Sequence, residues 1–191
     1  MTKYNEKLTR KINMLENAER KNNFPAEDLL KLLPIEKTDH ILDLGAGTGY
    51  LTIPAAEKTD GTVYALDLDG GILDYLDSKA QKEKLGNLKT LEASFNDIPL
   101  EANAIDIALA SISLHEITPL SSALEEIFRV MKKNGIFLCL EFEKKEVSTG
   151  PRVHSSVMEQ ALKDTGFSIQ DKIFPTTQIV SEDLYIIIAQ K

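Results

Sequence analysis

The sequence predicts an α/β fold: a doubly wound, mostly parallel sheet with helices on both faces. Three observations predict it. Residues 41–52, ILDLGAGTGYLT, run from a short apolar strand through a glycine turn into a helical stretch, the strand–turn–helix corner at which such sheets bind nucleotides. Beyond that corner, short apolar runs alternate with stretches of helical period. At the end of the chain two strand-like runs follow each other with no helix between them, which breaks the alternation.

The elements follow in order. Tyr4, Leu8, Ile12 and Leu15 fall on one stripe with charged residues between them, the pattern of an amphipathic helix. Pro25 suits the first turn of a second helix, with Leu29, Leu30, Leu32 and Leu33 as its buried side and Pro34 as its stop. Ile41, Leu42 and Leu44 make the first buried strand. Residues 50–57 read as helix, because Pro54 sits in a first turn where no hydrogen bond is lost. A turn at Asp60-Gly61 leads to a strand over 62–66. A helix over 72–84 buries Ile72, Leu73, Leu76 and Ala80 and closes at Gly86. Strands are expected over 88–93 and 105–111, then a helix over 119–132 with Leu120, Leu124, Ile127, Phe128 and Met131 inward. Asn134-Gly135 makes the next turn, since both residues tolerate the left-handed region. A strand over 136–141, a helix over 155–165 stopped by Gly166, and strands over 167–174 and 183–189 complete the chain.

At 191 residues the chain fits one domain over 1–191, with 1–24 as an N-terminal helical segment. A formal net charge of −8 disfavours a protein that holds nucleic acid through its phosphates. Lys3, Lys7, Arg10 and Lys11 are too few and too interleaved with acids to overturn that. The single cysteine, Cys139, excludes an intrachain disulfide and lies inside the apolar run Ile136-Phe137-Leu138-Cys139-Leu140, where it reads as a small buried hydrophobe. With no signal peptide and no apolar run of membrane-spanning length, the cytoplasm is the expected compartment and no membrane partner is expected.

The glycine turn departs from the dinucleotide fingerprint G-x-G-x-x-G. It reads Gly45-Ala46-Gly47-Thr48-Gly49, with Asp43 two residues before the first glycine. Asp67 stands at the tip of the second strand, where an acid receives ribose hydroxyls. A nicotinamide dinucleotide uses an acid in the same place, so Asp67 points to an adenosine-containing ligand without choosing between cofactors. Behind the third strand comes Ser94-Phe95-Asn96-Asp97-Ile98-Pro99-Leu100, and the helix after the fourth strand ends in Arg129-Val130-Met131-Lys132-Lys133-Asn134-Gly135.

In that order the four features resemble the class I S-adenosylmethionine-dependent methyltransferases, over roughly residues 25–191. The resemblance implies a Rossmann-like fold with seven strands in the order 3-2-1-4-5-7-6, strand 7 antiparallel. It implies S-adenosyl-L-methionine as cofactor and S-adenosyl-L-homocysteine as product. It carries cofactor contacts onto Asp43, Gly45, Ala46, Gly47, Gly49, Tyr50, Asp67, Leu68, Ser94, Phe95 and Ser111. Ser94 departs from the family's acid at the adenine contact, and Phe95 either stacks on the purine or packs under its own loop. Asn134 replaces the usual proline without losing the turn. Methyltransferases of this type often close the cofactor cleft with their N-terminal helix, so that helix is either a lid or a packing element against the sheet or a partner. Small bacterial and archaeal members of unassigned substrate look most similar, with quinone-biosynthesis C-methyltransferases and arsenite methyltransferases more distant. The lone Cys139 argues against arsenite chemistry, which needs several thiols.

Methyl transfer is an in-line displacement for which the protein supplies alignment, and no catalytic triad is present or required. The acceptor should arrive beyond the carboxyl ends of the strands, near Ser111, Ser113, His115, Glu116, Glu141, Glu143 and the Gly150–His154 loop. His115 is the candidate base, since imidazole titrates near neutral pH, with a loop histidine satisfied by backbone as the alternative. His154, His115 and Glu141 lack a metal-ligand spacing, so no metal is expected, and Arg152 reads as a solvated arginine or an anion clamp. The expected partner is a small-molecule acceptor, with the chain a monomer or homodimer. The alternatives are a non-catalytic, cofactor-binding partner subunit and an NAD-dependent oxidoreductase.

Overall fold

The computed structural model describes residues 3–16, 22, 24–145, 150–179 and 182–191. Seven strands form one sheet in the order β3-β2-β1-β4-β5-β7-β6. They are β1 (Ile41–Leu44), β2 (Val63–Asp67), β3 (Leu88–Glu92), β4 (Ile105–Ser111), β5 (Met131–Phe142), β6 (Ser168–Ile173) and β7 (Leu184–Gln190). The first five are parallel, and β7 runs antiparallel to both β5 and β6. The helices are α1 (Lys3–Leu15), α2 (Ala26–Leu30), α3 (Thr52–Ala56), α4 (Gly70–Glu83), α5 (Leu120–Val130) and α6 (Ser155–Thr165). Among the described residues, no helix is long and apolar enough to cross a membrane.

Strand alternation sorts the core into two layers. Leu42 and Leu44 of β1, Ala108 and Ala110 of β4, and Phe137 and Cys139 of β5 pack with Leu124 and Ile127 of α5 and Met158 and Leu162 of α6. Ile41, Ile107, Leu109, Leu138 and Leu140 point the other way, against Leu29 and Leu30 of α2 and Ala55 and Ala56 of α3. The central strands are buried on both faces, so their sequences read as continuous apolar runs. Asp43 is the polar exception within β1.

Several boundaries differ from the periodicity, most by a residue or two, and three of the differences have a visible cause. Leu32 is exposed, because α2 stops at Leu30 and only Leu33 turns back into the core. The left-handed residue closing α4 is Lys84, at φ 60°, rather than Gly86. And α5 ends at Val130, two residues before the expected 132, while β5 begins at Met131 instead of Ile136. The chain entering β4 takes the last carbonyls of α5, with Asn103 N–H donating to Arg129 and Ala104 N–H to Val130, which draws Met131 into register with Ile105. Asn134 does adopt the left-handed turn, at φ 67°.

At the amino edge of the sheet Asp106 is structural. It accepts the His40 N–H at 2.9 Å and pairs with Lys132 at 2.7 Å. The opposite, carboxyl edge carries the site.

Candidate active site

β1 and β2 end side by side, and the chain leaving β1 bends back over β2. The N–H groups of Gly45 and Ala46 both donate to the Leu66 carbonyl, at 2.8 and 3.0 Å. Gly47 N–H donates to Asp67 Oδ2 at 3.1 Å, and Asp69 N–H to Asp67 Oδ1 at 3.0 Å. One carboxylate therefore ties the glycine bend to the turn after β2, and each oxygen keeps a lone pair for a further donor. Gly49 N–H closes on the Ala46 carbonyl. The amides of residues 45, 46, 47 and 49 are thus all engaged within the chain, where they are not turned toward a phosphate.

The glycines divide the work. A Cβ at Gly45 would lie 2.6 Å from Ser113 Cβ, and one at Gly49 would lie 2.5 Å from Leu76 of α4. Both serve packing between the bend and its neighbours. Gly47 is buried beneath α1, and a Cβ there would meet Leu15 of that helix at 3.4 Å. Its φ of 53° is the left-handed value that glycine adopts without strain.

Asp43, only 2% exposed, accepts the Thr52 hydroxyl at 2.5 Å. Asp43, Gly45, Ala46, Gly47, Tyr50 and Ser111 line one narrow pocket under Leu15. Gly45, Gly47, Asp67, Leu68 and Phe95 line a cleft of about 310 Å³ that shares Leu15 with it. Two residues expected at the cofactor line neither space. Gly49 packs on α4, and Ser94 Oγ accepts the Asn96 N–H in a local turn. Phe95 is buried in the core and shows the cleft only part of its ring. Its loop is fixed from a distance: Arg129 donates to the carbonyls of Ile98 and Leu100, both at 2.9 Å, while Glu126 accepts the Ile98 N–H. Beside Arg129 the Glu126 carboxyl lies below its usual range.

Sequence reasoning placed α1 near the cleft without naming its contacts. Lys11 pairs with Asp69 at 2.9 Å and Glu16 with Lys79 at 2.9 Å, so α1 is tied to α4 at two points. The Lys11 ammonium holds the Asp69 carboxyl below its ordinary value. Lys11, Met14 and Leu15 form the α1 wall of the cleft. The Tyr4 side chain lies outside the described residues.

Beyond β4 the chain makes a short 3₁₀ turn, Leu114–Glu116. Ser113 Oγ donates to the Leu44 carbonyl at 2.9 Å, which sets this turn against the glycine bend. The fully buried Glu141 of β5 receives Ser113 N–H and Leu114 N–H on Oε1, at 2.8 and 2.7 Å, and His115 Nδ1 on Oε2 at 2.7 Å. His115 is therefore held by a carboxylate and not by backbone. Arg152 is no solvated arginine: it forks onto Glu182 at 2.8 and 3.1 Å and lies over the Phe142 ring. His154 caps α6 by accepting the Ser156 N–H. Among the described residues, no three His, Cys, Asp or Glu side chains converge as metal ligands. Cys139 is buried, and burial pushes its thiol pKa well up.

Residues 35–185 match the family model described as a methyltransferase domain. A ubiquinone/menaquinone biosynthesis C-methyltransferase of Agrobacterium fabrum is 30% identical over 143 residues, covering 73% of this chain and 55% of that protein. A demethylmenaquinone methyltransferase of a Geobacillus species is 31% identical over 117 residues, 60% of this chain and 50% of that one. The chain spans about half the length of these curated relatives. Among solved structures, a SAM-dependent methyltransferase from Aquifex aeolicus superimposes with a TM-score of 0.82 at 24% identity, over 95% of this chain and 97% of that one, a likeness of fold. The family match takes in the bend, the Asp67 tip, the loop pinned by Arg129 and every strand as far as Tyr185 in β7, and by it this chain belongs to the methyltransferase domain family.

Proposed function

We propose that this chain moves a methyl group from S-adenosyl-L-methionine to a small-molecule acceptor by in-line displacement. The observation that carries the reading is the polarity of the glycine bend. The amides of residues 45, 46, 47 and 49 are taken up within the chain, and carboxylates stand at both ends of the bend, Asp43 and Asp67. That donor set suits a cationic, zwitterionic ligand with a ribose, and it suits a pyrophosphate poorly, so the NAD-dependent reading is disfavoured. The residues present fit the cofactor: the free lone pairs of Asp67 suit ribose hydroxyls, and Leu68 and Phe95 supply apolar wall.

When bound, S-adenosyl-L-methionine supplies a methyl carbon activated by the sulfonium leaving group. The protein's part is alignment, exclusion of water and handling of a proton. Asp67 and the bend fix the adenosyl end, Asp43 and Ser111 border the methionine end, and α1 closes over both as a lid through Leu15. His115 takes the acceptor's proton.

Thermal unfolding and calorimetry test this. S-adenosyl-L-homocysteine at 100 times its dissociation constant should stabilise by about 2.7 kcal/mol, raising Tm by roughly 5–10 °C in a chain of this size, with no rise for NAD. A shift with NAD alone would overturn the proposal. Binding without turnover on any acceptor would identify a non-catalytic partner subunit instead.

A further inference from the structure

Among the described residues, Lys84, Asn103, Ile112 and Asn134 are the non-glycine positions with positive φ. Three of them are exposed, and none of those three is β-branched. Ile112, at φ 57°, is half-buried, and for a β-branched side chain the left-handed region is a strained outlier. Its neighbours leave it no way to relax. Ile112 N–H donates to the Leu140 carbonyl at 2.7 Å, and the next two amides, of Ser113 and Leu114, close on the buried Glu141 carboxylate at 2.8 and 2.7 Å. Ser113 Oγ is tied to the Leu44 carbonyl. Strain that the surroundings impose in this way collects at ligand sites.

Ile112 stands at the seam of the two spaces beside the glycine bend. Ser111, before it, lines the narrow pocket, while Ile112 itself and Ser113 line the cleft. Leu15, Gly45 and Gly47 border both spaces. With the methionine end of the cofactor in the pocket and the adenosyl end in the cleft, the sulfur that joins them falls at this seam, and so does the alkyl group it carries. Resting on the methyltransferase reading above, we infer that Ile112 is a specificity-determining residue: its branched side chain bounds the room for the group on the sulfonium, so that methyl fits and a group one carbon longer is resisted. The left-handed backbone sets the direction in which Cβ leaves the chain, and the strain is what it costs to keep this side chain at the cleft. Ile112 also packs against the core layer that contains Leu138 and Leu140. A close-packed layer behind it opposes its swinging aside when a larger group arrives.

Calorimetry with S-adenosyl-L-methionine, its S-ethyl homologue S-adenosyl-L-ethionine and S-adenosyl-L-homocysteine tests the inference without any acceptor. The wild type should bind the S-methyl form about 10-fold or more tightly than the S-ethyl form, the scale on which a pocket discriminates one methylene. In Ile112→Ala and Ile112→Gly that ratio should fall several-fold toward unity. The same two variants read the strain: Ile112→Gly should melt roughly 2–4 °C above Ile112→Ala, because glycine takes up the left-handed turn freely and alanine does not. Where neither variant folds, the wild type suffices. S-adenosyl-L-methionine labelled with ¹³C at its S-methyl should then show a nuclear Overhauser effect to the Ile112 side-chain methyls. Equal wild-type affinity for the S-methyl and S-ethyl forms, a preference unaltered in both variants, an alanine variant that melts at or above the glycine variant, or no Overhauser contact overturns the inference. A wild type that binds none of the three cofactor forms would instead overturn the methyltransferase reading on which it rests.

Discussion

Asp67 illustrates how one side chain can be a structural tie and, on the function proposed above, a ligand group as well. Its two oxygens hold the N–H groups of Gly47 and Asp69, so it shapes the bend before any ligand arrives. Removing it leaves those amides without their partner and takes away the acceptor for the ribose. Asp67→Ala should therefore weaken S-adenosyl-L-homocysteine binding by about 1–3 kcal/mol, the scale of lost charge-assisted hydrogen bonds. Isothermal calorimetry checks it, and unchanged affinity would mean the ribose sits elsewhere. The acid at a strand tip was legible in the sequence because its position follows from strand length alone. That Gly49 and Ser94 line neither of the two spaces at the bend was not. Whether a glycine faces a ligand or a neighbouring helix depends on where α4 brings Leu76, and no spacing within the motif encodes that.

Among the elements, α1 is the one whose role depends on contacts far along the chain. Its stripe of Leu8, Ile12 and Leu15 marks it as amphipathic, but the two ion pairs to α4 and the seat of Leu15 beside Gly47 set its position. These pairs are partly exposed, so each contributes roughly 0.2–1 kcal/mol and is screened by salt. Lys11→Met removes one tie without touching Asp69, which also caps α4 by accepting the Ile72 N–H. If α1 is a lid, that variant should release S-adenosyl-L-homocysteine about 2- to 5-fold faster, with Tm nearly unchanged. Stopped-flow displacement measures this, and an unaltered rate would make α1 a packing element only. At the same scale, the early end of α5 shows why boundaries escape periodicity: Met131 satisfies a helical stripe and a strand equally, and pairing with Ile105 decided it.

Over the whole molecule, the acidic balance is met by specific cations. Asp69, Glu126 and Glu182 all have carboxyl pKa values lowered in the fold, each first of all by a hydrogen bond from Lys11, Arg129 or Arg152. Groups lowered on folding add stability above their ordinary values of 3.8 for aspartate and 4.5 for glutamate, and lose it as pH falls through the folded values. Tm should thus be level near neutrality and decline below about pH 4.5. Arg152→Met should make that decline shallower, since it removes the cation that holds Glu182 down. Scanning calorimetry across pH 3–7 reads both (window set by those carboxylates), and a Tm indifferent to acid in that range would contradict the assigned pairs.

The sequence by itself determined the order of strands and helices, the glycine bend and the acid at the tip of β2, because each is written in neighbouring residues through periodicity and turn chemistry. The tertiary structure alone decided that Glu141 grips His115, that Arg152 belongs to Glu182 and that Leu15 covers Gly47. Those contacts join residues from separate elements, so their partners are chosen by how the layers pack around the sheet, which no local pattern of residue types records.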